Sequence, residues 1–256
     1  MNIFKQFTKS LYSPKDIALF RFQGIGKTIL YVFLLTLLSV IPTVTYFSMT
    51  MVNGLEAAQS TINDEIPSFV IENGSLSSEQ TEPVEIHEND FSIIFDSTGK
   101  IQQDDLKTVD NGIALLQKDF IVVTGGTLDA YSYSMFTDLV ITKDDFIKFL
   151  DTLDSLLAII IPIFIIVIYI FSSGIKFIEV SILAAIGLVL RSMTQRNLQY
   201  RQLWRMAAYS VTLPTIFFTI MEAIQTGVPN GFLLNWFVSI LVLFLAIREI
   251  PKPKNK

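Results

Sequence analysis

Five apolar runs, near residues 28–48, 156–171, 177–190, 207–221 and 232–247, constrain this chain more than any other feature. A helix that crosses a bilayer needs about 20 mostly apolar residues. The first, second, fourth and fifth runs approach that length once their flanks are included. A soluble domain of 256 residues rarely hides four such helices, so the pattern points to a polytopic α-helical membrane protein. The first run begins after Lys5, Lys9, Lys15, Arg21 and Lys27, deeper than a signal peptide would start. No small-x-small cleavage site follows it, and it reads as an uncleaved signal anchor.

Charge sets the expected orientation. Residues 49–154 hold 20 Asp and Glu against five Lys, a balance of −15, and the rest of the chain carries +10. Basic residues beside span ends stay on the cytoplasmic side. The N-terminus is therefore expected in the cytoplasm and 49–154 outside. Two later basic clusters complicate the count: Arg191, Arg196, Arg201 and Arg205, and the tail Lys252, Lys254 and Lys256. Five crossings would place both outside, and four would place both inside. The run 177–190, with only 14 residues, is the weakest crossing. The expectation is four crossings with 174–190 as a re-entrant or in-plane helix, five crossings being the alternative.

The organisation follows from these readings. Residues 1–26 form a cytoplasmic amphipathic segment, 27–48 the first transmembrane helix and 49–154 a small extracytoplasmic α+β domain between the first two spans. Residues 155–248 form a C-terminal membrane domain of three or four spans, and 249–256 a basic tail. In the N-terminal segment Phe4, Phe7 and Leu11 share a helical face. Ser13-Pro14-Lys15-Asp16 reads as a helix start, with Ser13 as N-cap and Pro14 at the first helical position. Such a segment either lies on the anionic inner leaflet or packs on the protein's own spans.

Past the first span, Met51, Leu55, Ala58, Ile62 and Ile66 keep helical spacing up to Pro67, which reads as a helical stalk. Residues 72–90 are polar, acidic and without apolar period, and read as a flexible loop. Strand signals follow at Phe91–Phe95, with a turn at Asp96-Ser97-Thr98-Gly99 and one helical turn within 104–110. Ile113–Leu116 and Phe120–Val123 read as a hairpin, and Ala130–Phe136 as a further strand. Thr142-Lys143-Asp144-Asp145 resembles a capping box that opens the second stalk and span.

No catalytic, cofactor-binding or metal site emerges. The chain has no cysteine and one histidine, so thiolate chemistry and the usual zinc sites are excluded. His87, between Glu85 and Glu88, reads as solvated. Gly24-Ile25-Gly26-Lys27-Thr28 resembles the end of a phosphate-binding loop, but Arg21 stands where that loop needs its first glycine. Asp96-Ser97-Thr98-Gly99 has the wrong spacing for an aspartic-protease triplet. The pairs Asp104/Asp105 and Asp144/Asp145 sit on polar turns. No nucleotide or nucleic-acid partner is expected.

Two groups remain as candidates. Arg191, Arg196, Arg201 and Arg205, with Tyr200 and Trp204, read as membrane-anchoring basic residues at the inner leaflet, or as a docking surface for a cytoplasmic protein. Lys176, Glu179 and Glu222 are intramembrane polar residues, with Gln225 and Asn235 nearby. Lys176 and Glu179, three apart, are placed to pair on one helix face.

Three passages occur in an order that resembles a known family. They are Leu11–Lys15 with Arg21–Gly26, then Ile94–Lys100, then Ala208–Pro214. They are similar to DUF1189, a family of uncharacterised bacterial membrane proteins, mostly from Gram-positives and sometimes labelled maltodextrin utilisation proteins from gene neighbourhood. The resemblance implies a multi-pass plasma-membrane protein of a Gram-positive bacterium and supplies no catalytic residues. The expected function is a non-enzymatic accessory or sensory membrane protein, its partners the bilayer and a membrane or extracytoplasmic protein. By the resemblance alone it is linked to maltodextrin uptake. The alternative is a small-solute transporter or transporter subunit.

Overall fold

The computed structural model describes residues 2–88, 91–136 and 139–252. Lys254 and Lys256 of the basic tail, and the Glu88 side chain beside His87, lie outside the described residues. The chain forms two compact units, one from residues 1–49 with 160 onward, the other Thr50–Ile159. Two helices, α3 (Ile25–Asp64) and α4 (Lys143–Met193), contribute to both.

The first unit also contains α1 (Ile3–Tyr12), α2 (Pro14–Phe20), α5 (Tyr200–Ser210), α6 (Thr212–Ala223) and α7 (Gly231–Arg248). The start of α2 is the one the sequence suggests. The Ser13 hydroxyl accepts the Asp16 amide at 3.3 Å, and Pro14 occupies the first turn, where no amide donor is needed. On α1, Ile3 and Phe7 pack on the core, while Phe4 is 75% exposed rather than sharing the buried face. Helices α5 and α6 meet at Val211 because Pro214 has no N–H to donate to the Ser210 carbonyl. The core gathers Ile17, Phe20, Tyr31, Leu183, Leu203, Tyr209, Leu243 and Ile247. The Tyr209 ring lies 4.5 Å from Phe20 and 4.3 Å from Tyr31. The Tyr31 hydroxyl meets Thr212 at 2.6 Å.

Residues 174–190, expected as a re-entrant or in-plane helix, do not form a helix of their own. These residues are the continuous end of α4, whose 51 residues extend about 76 Å at 1.5 Å each. Gly174 faces open space and does not break the helix. Lys176 and Glu179 bond each other instead of ending it. Val180, Leu183 and Ala184 are fully buried in the core, so one side of the segment packs on the other helices of this unit. Among the described residues the five apolar runs thus reduce to four helices long and apolar enough to cross a membrane: Ile25–Asp64, Lys143–Met193, Tyr200–Ala223 taken through the Val211 bend, and Gly231–Arg248.

The second unit carries two sheets. The first has strand order β2-β1-β8, from β1 (Phe69–Glu72), β2 (Ser75–Ser78) and β8 (Ile141–Thr142). The second has order β3-β4-β5-β6-β7, from β3 (Val84–Glu88), β4 (Phe91–Phe95), β5 (Asn111–Leu115), β6 (Asp119–Thr124) and β7 (Thr127–Ser132). All neighbours run antiparallel except β4 and β5, which are parallel. One core joins Ile62, Ile66, Phe69, Phe95, Leu115 and Leu150, tying the sheets to α3 and α4. A second, around Ile94, Ala114, Ile121 and Leu106, lies under the 3-10 helix Gln103–Thr108.

Two expectations are corrected here. Residues 72–90 are not a loop throughout, since they contain the end of β1, all of β2 and β3. Asn73 and Gly74, at φ 51° and 77°, make the two-residue turn between β1 and β2, the left-handed pair that matches strand twist. The strand expected over Ala130–Phe136 spans Thr127–Ser132 and gives way to a 3-10 helix at Tyr133–Phe136.

Candidate functional site

Several polar residues of the first unit line one cavity of about 870 Å³. Helix α3 supplies Ser39, Thr43 and Tyr46, and α4 supplies Ser172 and Lys176. Helix α6 supplies Thr215, Phe218, Thr219 and Glu222. Gln225 and Thr226 follow on the loop, and α7 begins at the cavity with Gly231, Phe232 and Asn235. The placement follows from helical spacing. Thr215, Thr219 and Glu222 are separated by four and three residues and so share one face of α6. Ser172 and Lys176 do the same on α4. Gly231 leaves room for Phe218, whose ring a Cβ there would meet at 3.0 Å.

Beneath the cavity lies a network of charged and amide groups. The Lys176 ammonium donates to Glu179 Oε2 at 2.7 Å and to Thr215 Oγ1 at 3.2 Å. Asn235 Nδ2 donates to the other Glu179 oxygen at 2.7 Å. The Lys176 and Glu179 side chains are only 15% and 11% exposed. One ion pair therefore links α4 to both α6 and α7. A charge this deep between apolar helices is costly unless it is paired and hydrogen-bonded, as it is here. Glu222 sits at the other end, in the last turn of α6, where the Thr43 hydroxyl donates to Oε1 at 2.6 Å. The Tyr46 hydroxyl donates to the neighbouring Ala223 carbonyl.

Lys176, Glu222, Gln225 and Asn235, singled out as polar positions of apolar segments, are thus brought together, with Glu179 directly behind Lys176. The hydroxyl residues of the wall were not singled out. Their signal was available as the Thr215, Thr219, Glu222 spacing inside an otherwise apolar run.

The arginines are distributed differently. Arg191 donates to the Leu198 carbonyl. Arg196 reaches the Arg248 carbonyl at 3.1 Å, at the end of α7, and Arg205 reaches the Arg21 carbonyl at 2.9 Å. Cations at helix C-terminal carbonyls satisfy groups that have no partner inside the helix. Three of the four therefore close helix ends and turns of the protein itself, and Arg201 is exposed.

The remaining acidic candidates hold turns. Asp96 is fully buried, and Oδ1 accepts the Thr98 amide at 2.8 Å and the Thr98 hydroxyl at 2.6 Å. Its Oδ2 accepts the Ile101 amide at 2.6 Å. Burial alone would push this carboxyl up, but the bonds from Ile101, Thr98 and Gly99 outweigh it and hold it below the usual range. Asp145 caps α4 through Thr142, whose hydroxyl donates to Oδ2 at 2.7 Å and whose amide donates at 3.1 Å; these bonds lower its carboxyl. Asp16 is held low by the Ser13 hydroxyl and then by Lys9, whose ammonium lies 3.0 Å away. Asp104 pairs with Lys107 on the surface. His87 Nδ1 lies 2.9 Å from Ser92 Oγ in an exposed position. Among the described residues no group of three or more His, Cys, Asp or Glu is gathered as a metal ion would need.

A family model described as Protein of unknown function (DUF1189) matches residues 4–247, and the chain belongs to that family. No curated protein and no solved structure matches it.

Proposed function

We propose that this DUF1189 member is a non-enzymatic, multi-pass protein of the plasma membrane that holds a small polar solute in the cavity of its first unit. The observation that carries this reading is the convergence of Lys176, Glu222, Gln225 and Asn235 on one cavity between apolar helices. Ionisable residues among membrane helices mark ligand or ion sites more often than structural ones. The cavity lies within the size range of small-molecule sites. The role is that of an accessory or sensory component, with the acidic unit outside the membrane meeting a membrane or extracytoplasmic partner. Continuity of α3 and α4 supplies the route between solute and partner. A link to maltodextrin uptake rests on the family label alone. The same cavity supports a second reading, a solute transporter or transporter subunit.

Four crossings with the N-terminus in the cytoplasm fit the charge pattern best. With 177–190 absorbed into α4, the arginines at 191–205, the basic N-terminus and Lys252 all fall on one side, and the −15 segment falls on the other. Helix α7, at 18 residues and about 27 Å, suits the roughly 30 Å hydrocarbon core. That arrangement is of Gram-positive plasma-membrane type by family resemblance.

Two experiments test the reading. The chain has no cysteine, so single substitutions Ser78→Cys and Gln195→Cys report sidedness without background. Labelling of position 195 from outside would overturn the four-crossing arrangement. Equilibrium dialysis of the full chain in phosphatidylglycerol nanodiscs against labelled maltotriose, glycine, ethanolamine and choline tests the cavity. At least one should bind saturably, and Asn235→Leu should weaken it at least tenfold. Absence of any saturable binding would retire the solute reading.

A further inference from the structure

We infer that the cavity selects a small organic ammonium ion, held at Glu222. The inference rests on the solute-site reading above. Lys176 is engaged by Glu179 at 2.7 Å, so these two charges cancel at the base of the cavity. Glu222 has no such partner. The Thr43 hydroxyl occupies Oε1, and among the described residues no cation forms an ion pair with it. With Glu179 counted behind Lys176, the formal charge at the cavity is that of one carboxylate.

The position of that carboxylate sharpens the argument. Glu222 lies in the last turn of α6, where carbonyl ends already make the helix terminus negative. An acid there opposes the macrodipole, so its local contribution to stability is unfavourable. A bound cation relieves both at once. Three aromatic rings, Tyr46, Phe218 and Phe232, line the same space. The Tyr46 hydroxyl is bonded to the Ala223 carbonyl, beside Glu222, and the Phe218 ring lies close to Gly231. A carboxylate with aromatic faces is the combination that recognises ammonium groups with carbon substituents, through Coulomb attraction and cation–π contact. A metal ion of equal charge would use the carboxylate and leave the rings without a role. An anion meets Glu222 and a lysine that is already neutralised.

The ammonium group has two sources, a free amine or an aminolipid headgroup. Both are tested with the full chain in phosphatidylglycerol nanodiscs, which carry no amine. Labelled choline and ethanolamine should each bind saturably near one per chain. Glu222→Gln should weaken them at least tenfold and Glu222→Asp much less, which separates loss of charge from loss of fold. Acetate, and potassium at equal ionic strength, should not displace them. Replacing half the lipid by phosphatidylethanolamine distinguishes the sources: competition assigns the headgroup and unchanged binding assigns the free amine, and either supports the inference. Choline and ethanolamine binding within twofold of wild type in Glu222→Gln would overturn it, as would displacement by potassium or binding of maltotriose or glycine alone. In that last case the solute cavity stands and only the ammonium assignment falls.

Discussion

Replacing Asp96 tests how one buried carboxylate organises the second unit. In Asp96→Ala the Thr98 and Ile101 amides lose their acceptor, and the Thr98 hydroxyl loses one that it can replace with water. A buried donor left unmet costs about 1–3 kcal/mol; Thr98 and Ile101 are half-buried and the terms overlap, so a total of about 3 kcal/mol is expected. That is a factor of roughly 10² in the opening constant at 1.4 kcal/mol per decade. Asp96→Asn separates the two oxygens. An amide oxygen still accepts from Thr98, but an NH2 group now faces the Ile101 N–H, which costs about 2 kcal/mol, or roughly thirtyfold. Hydrogen exchange on the full chain in nanodiscs, read on peptides spanning β4 to the 3-10 helix, measures both. The expected order is Ala, then Asn, then wild type, with peptides of α7 unchanged. Exchange within threefold of wild type in both variants, or a larger effect for Asn than for Ala, would refute the reasoning. The pH dependence follows from the lowered carboxyl. Its folded pKa lies below the unfolded value near 4, so the stabilisation is present above about pH 4 and is lost as pH falls below it.

Three further outcomes are expected. Gly112→Ala should destabilise the second unit by about 2 kcal/mol or more, because a Cβ there runs into the Ser92 carbonyl across the parallel pair β4–β5; limited proteolysis of β5 reads this directly. Lys176→Met should cost about 3 kcal/mol by leaving Glu179 buried beside Asn235, and adding Glu179→Gln should recover much of it; thermal unfolding in detergent of the two singles and the double compares them. Ser13→Ala should cost about 1 kcal/mol at the start of α2 and let the Asp16 carboxyl rise, which faster tryptic cleavage at Lys15 would register.

Much of this architecture is legible in the amino-acid sequence, and the parts that are not have physical reasons. The Ser13-Pro14 start, the Thr142–Asp145 cap, the β5–β6 hairpin and the Lys176–Glu179 pair depend on neighbours within a few positions, and each appears where local rules put it. Strands β2 and β3 are hard to see in an acidic stretch because β2 is Ser-rich and β3 has only Val84 and Ile86 to alternate with Glu85 and His87 on an open edge. Asn73-Gly74 is the available signal, as the dipeptide that suits a two-residue hairpin turn. The parallel pairing of β4 and β5 and the continuity of α4 depend on tertiary packing that no local pattern contains. The cavity was half legible. Its charged members stand out against apolar runs, but Thr43 meets Glu222 from 179 positions away.

The seating of α2 fixes an order of events during synthesis. Ile17 and Phe20 share a core with Leu243 and Ile247, which leave the ribosome about 230 residues later. At roughly 5–20 residues per second, that interval is roughly 10–45 s. Throughout it the first two helices have part of their final seat missing. Until then that seat is incomplete, and α7 acts as the keystone that completes it. A chain truncated before residue 231 would therefore strand its own beginning: an early stop near the C-terminus would present to quality control as an exposed N-terminus.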